Sequence, residues 1–114
     1  MARHLRIPKP KQPICDFCSG TPVAWDYPCR SFSHRDVVEG VAVQFNSAEG
    51  WAACDACHAI IQRGDREGLA ARSVVTYGAK YGSGVLPLTL PVARAVHDSF
   101  WANREGPPIP YRPT

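Results

Sequence analysis

Four cysteines stand in two pairs, Cys15-Asp16-Phe17-Cys18 and Cys54-Asp55-Ala56-Cys57, separated by residues 19–53. A thiolate is a soft donor, and a two-residue spacer lets both sulfurs of a pair turn toward one ion. Two such pairs complete a tetrahedral shell with Zn–S bonds near ~2.3 Å and leave no position for water, the mark of a structural rather than a catalytic ion. The expectation is one structural zinc ion held by Cys15, Cys18, Cys54 and Cys57, its binding energy coupled to folding.

Other chemistries can use the same sulfurs. Cys54 to His58 spell the Cys-x-x-Cys-His haem-attachment signature. Met1 is the sole methionine, however, and a haem reading leaves the first pair without a purpose. A redox dithiol and an iron–sulfur cluster are further alternatives. Cys29 alternates with Val23, Trp25 and Tyr27 and reads as a small core residue. His34 and His58 are the substitute ligands, although His58 follows Cys57 too closely for both to bind easily.

The elements that must position these cysteines are short. Residues 14–20 read as a knuckle, with Gly20 supplying the tight turn. Strand-like segments follow at Val23–Cys29 and at Val41, Val43 and Phe45, which keep period two. A helix is expected from about Trp51–Asp55 to Arg63, stopped by Gly64. Asp65 caps a second short helix to about Ser73. Knuckle, strands, then a cysteine pair at a helix start is the layout of a treble clef. The fold class expected is therefore a small α+β zinc domain with an additional C-terminal helix.

This divides the chain into a basic, proline-rich arm (1–13), the zinc-binding domain (14–77), a glycine-rich flexible link (78–90), the last helix (91–105) and a proline-rich tail (106–114). In the last helix Val92, Val96 and Phe100 mark the apolar face, with Ala95 beside them.

The 114 residues suit one compact domain that benefits from a metal staple. A net charge of +3 is too mild to demand a polyanionic partner. Arginine far outnumbers lysine, a bias that a GC-rich genome alone would produce. No run reaches the ~20 apolar residues that span a bilayer, and the N-terminus has no signal-peptide character. The expected compartment is the cytoplasm, where paired cysteines favour metal over disulfide.

No phosphate loop, nucleophile elbow or metallohydrolase motif occurs, so no enzyme, no catalytic residue and no small-molecule substrate is expected. Two binding readings follow. In the first, the chain is a zinc-stabilised adaptor or regulator for a protein partner. Trp101 is then the anchor, since adjacent helical residues such as Phe100 and Trp101 rarely both face one core. In the second, Arg3, Arg6, Lys9 and Lys11 of the arm join Arg63 and Arg66 on nucleic acid, with Arg30, Arg35 and Arg72 adding to a positive face. A thiol redox protein is a lesser alternative.

The words Cys15-Asp16-Phe17-Cys18-Ser19, Tyr27-Pro28 after Trp25, Trp51-Ala52-Ala53-Cys54-Asp55-Ala56-Cys57 and the later Gly64-Asp65 resemble those of short, uncharacterised zinc-binding proteins of actinobacteria and their phages. The resemblance spans about residues 14–73. It implies the four cysteine ligands and an actinobacterial or phage origin. A phage protein of this kind is expected to bind host transcription, replication or translation machinery.

Overall fold

A computed structural model describes residues 13–47, 50–82 and 88–112. Five short strands and three helices follow in the order β1 (Trp25–Tyr27), β2 (Phe32–Val38), β3 (Val41–Ser47), β4 (Trp51–Ala53), α1 (Asp55–Gln62), α2 (Arg66–Tyr81), α3 (Leu90–Asn103) and β5 (Ile109–Pro110). The chain is thus a small α+β unit, as expected. The arm, including Arg3, Arg6, Lys9 and Lys11, lies outside the described residues apart from Pro13.

The first sheet runs β4-β1-β5, antiparallel throughout, with Trp25 opposite Ala53 and Tyr27 opposite Trp51. β2 and β3 form a separate hairpin in which Val38 pairs with Val41. Its two-residue loop places Glu39 at φ 49° and Gly40 at φ 76°. Positive φ at both central positions matches the right-handed twist of the strands it joins, and glycine takes the second at no steric cost.

α1 starts and stops on local signals. Cys54 is its N-cap and accepts from the Cys57 amide. Gly64, at φ 67°, follows its end and donates to the Ile61 carbonyl. The helix begins at Asp55, the late end of the expected start, because Trp51–Ala53 is strand. Asp65 caps α2 through a 2.9 Å bond from the Gly68 amide.

α2 does not end near Ser73. It continues to Tyr81, through the start of the expected flexible link. Gly78 sits there with open space around its Cα. One exposed helical glycine costs about 1 kcal/mol, which a helix docked through buried Leu69, Ala70 and Ser73 tolerates. The proline-rich tail also takes part in the sheet. Glu105 donates to the Pro28 carbonyl and Tyr111 to the Ala24 carbonyl, each through its amide, so this segment closes the outer edge of β1 as β5.

The buried face of α3 differs from the expected one. Ala93, His97, Ser99 and Phe100 are buried, while Val92, Ala95 and Val96 are only partly so. Small Ala93 lets α3 approach closely, and His97 Nε2 lies 3.3 Å from the Ser73 hydroxyl of α2. That hydroxyl bonds the carbonyls of Phe17 and Leu69. With the Ser73 proton committed to them, His97 donates to Ser73 Oγ.

Phe100 lies at the centre of the core. Its ring is 4.8 Å from Phe17, 5.4 Å from Trp51 and 5.6 Å from Tyr27, centroid to centroid. The edge-on geometry against Phe17 and Tyr27 aligns ring quadrupoles favourably. Phe100→Ala should therefore cost about 3–5 kcal/mol in a denaturant titration. Burial also pushes the His97 imidazole down to about 4 from 6.5. Its neutral form belongs to the folded state, so stability should be lost as pH falls from about 6.5 to about 4, by about 3 kcal/mol. His97→Gln should abolish that part of the slope in unfolding curves taken across the window.

Candidate metal centre

Residues 15–20 fold into a knuckle because its ends bond each other. Cys15 donates to the Gly20 carbonyl at 2.8 Å, and Ser19 to the Cys15 carbonyl at 2.9 Å. The left-handed residue of this turn is Ser19, at φ 63°, and not Gly20. Gly20 serves space instead, since a Cβ there would stand 3.1 Å from Cys18 Sγ. Asp16 fastens the knuckle to β4. Its amide donates to the Ala52 carbonyl at 2.9 Å, and its carboxylate accepts from the Ala52 amide at 2.7 Å.

β4 then runs directly into α1, so the knuckle and the helix start face one another. The sulfurs of Cys15, Cys18, Cys54 and Cys57 lie within 4.8 Å of one another, and all four residues are buried. A tetrahedron with bonds of ~2.3 Å has edges of ~3.8 Å. Cys18 and Cys54 already stand 3.6 Å apart. The donor set thus fits one metal ion with little movement, and the four residues the sequence singled out are the four that meet.

Electrostatics divides the sulfurs: hydrogen bonding favours thiolate at Cys15, while burial pushes the Cys18 thiol up. The Cys57 thiol hydrogen-bonds to Cys15 and holds the Cys15 thiol down at about 5. The same bond, with burial, pushes Cys57 up. The Cys57 amide reaches Cys54 Sγ at 3.5 Å, from the positive end of α1. Arg72 Nη2 lies 3.9 Å from Cys18 Sγ.

The substitute ligands stay outside this group. Cys29 is half-buried in a single bridge opposite Arg104, and burial pushes its thiol up to about 11. His58 stacks on Trp25 at 4.1 Å with an 11° tilt, and its Nδ1 is 2.6 Å from the Tyr27 hydroxyl. Gln62 donates to that hydroxyl at 3.1 Å. The i, i+4 spacing of His58 and Gln62 was the sequence signal for this shared face. His34 lies on β2, opposite Phe45.

The binding candidates separate. Arg63 is exposed at the end of α1, and Arg66 is exposed at the start of α2. Trp101 does not turn fully to solvent. It is half-buried against the core, with the guanidinium of Arg66 at 5.0 Å and that of Arg104 at 5.5 Å from its ring centre. Sequence reasoning did not single out Arg104, the C-cap of α3, which follows Trp101 by three residues. Arg72 leaves the expected positive face and turns inward to the sulfurs.

Among the described residues, no helix is long and apolar enough to cross a membrane. No protein-family model matches the chain, and no match was found among curated proteins or solved structures. Cys54→Ser should abolish metal uptake, read as loss of one bound ion per chain in native mass spectrometry. The variant should also lose its folded far-UV and near-UV circular dichroism.

Proposed function

We propose that the four cysteines hold a single structural zinc ion in a treble-clef arrangement, and that the chain is a non-enzymatic binding protein. The observation that carries this reading is the burial of the donors. Cys15 and Cys57 are 0% exposed, Cys18 2% and Cys54 7%. Four buried sulfurs fill a tetrahedral shell and leave no face for substrate or water, so the ion would organise a surface and perform no chemistry. The knuckle, the β1–β4 pair and the helix opening at the second cysteine pair support the treble-clef assignment.

The partner proposed is a macromolecule, in the first place a protein. The surface favoured for it is the end of α3, where Trp101 lies beside Arg66 and Arg104. Tryptophan and arginine are the residue types that carry most binding energy at protein interfaces. The further proposal that the partner is a bacterial host machine rests on the resemblance of residues 14–73 to actinobacterial and phage zinc proteins. The same arginines favour nucleic acid as a second reading.

The test is capture from an actinobacterial lysate, with nuclease-treated and untreated arms, using the wild-type chain and Arg66→Glu. Arg66 is exposed, so its reversal should leave the fold intact. A protein partner should survive nuclease and fall by ~10-fold or more with Arg66→Glu, the loss of about 1.4 kcal/mol of binding. Capture that disappears with nuclease and weakens steeply with salt supports nucleic acid. Equal capture by both chains would reject this surface.

A further inference from the structure

Among the described residues, Arg72 is a basic side chain that the fold brings to the sulfurs, and its surroundings are unusual for an arginine. It sits on α2 between Leu69 and Ser73, which are 0% and 1% exposed, so its stem runs along the buried side of the helix. Its Nη2 is 3.9 Å from Cys18 Sγ, and its Nε is buried with no hydrogen-bond partner among the described residues. The ion pairs among those residues join Arg30 to Glu105 and Arg94 to Glu67, while Arg72 faces sulfur.

A guanidinium partly withdrawn from water toward four neutral thiols would lack a counter-charge, an arrangement that costs several kcal/mol in general. Opposite thiolates the same position is favourable. Four thiolates around a divalent ion carry a net charge of −2, and burial makes that charge expensive unless something offsets it. The Cys57 amide and the start of α1 supply partial positive charge. Arg72 supplies a whole one.

We propose that Arg72 is a positioning residue of the metal centre: its guanidinium neutralises part of the tetrathiolate's negative charge and thereby sets how tightly the ion is retained. This rests on the four-cysteine zinc reading. The mechanism differs from packing. A cation beside the sulfurs lowers the energy of their filled orbitals as well as the energy of the whole centre. Removing it should therefore change the spectrum of a sulfur-bound metal, which a purely steric role would not do.

The experiment uses the full chain as wild type, Arg72→Met and Arg72→Lys. The zinc-loaded proteins are challenged with excess EDTA, and cobalt(II)-substituted samples give the sulfur-to-metal charge-transfer band. Arg72→Met should bind zinc ~10–100-fold more weakly, the usual range for losing an outer hydrogen bond to a metal ligand, and yield it faster to EDTA. Its cobalt band should move to longer wavelength. Arg72→Lys keeps the charge and should restore the band toward its wild-type position. Arg72→Gln serves in place of Arg72→Met if the latter does not fold. A wild-type four-sulfur spectrum left unmoved by the neutral variants, with release unchanged, overturns the role of Arg72 alone. A wild-type chain that takes up neither metal overturns the four-cysteine reading and this proposal with it.

Discussion

Two short segments far apart in the chain have to bring their sulfurs to one point, and the rest of the structure is arranged around that meeting. The reciprocal bonds between Asp16 and Ala52 hold the segments together through backbone as well as side chain. Because Ala52 lies in β4 and β4 leads straight into α1, fixing the knuckle on this strand also fixes it against the helix start. The intervening chain must leave and return within a limited length. It does so as β1, which pairs with β4, and as the β2–β3 hairpin, which takes up the remaining residues.

The cysteine cluster and the aromatic core form one body. Phe17 lies between Cys15 and Cys18 in sequence and meets Trp51, His97 and Phe100 with its ring. Tyr27 faces Phe100 with one side of its ring and reaches His58 of α1 with its hydroxyl. A change in the sulfur cluster is thus felt by rings contributed from β1, β4 and α3. A chain of 114 residues gains from this sharing, because a core of this size has little stability to spare.

The features legible in the sequence were those with local causes. The cysteine spacing declares its chemistry within four residues, and the Gly64-Asp65 pair ends one helix and caps the next without help from elsewhere. The features it concealed depend on distant neighbours. Nothing near Gly78 reveals that α2 is docked well enough to pass through it. The buried side of α3 follows from Ala93 and from a histidine paired with Ser73, and hydropathy ranks neither above Val92. Arg72 looks like any surface arginine until α2 is laid against the knuckle. The prolines of the tail suggest an unpaired segment, whereas Ile109 and Tyr111 flank Pro110 and keep the amides that a strand needs.

That last strand also decides what the sheet can do next. β1 has neighbours on both sides, and β5 presents the new outer edge. The edge is two residues long, and one of them is Pro110, which has no amide proton to offer. Short edges and proline are the devices by which soluble sheets refuse a further strand. The C-terminal return therefore acts as a terminator of sheet growth. It withholds from other chains a pairing edge that β1, left open, would have offered them.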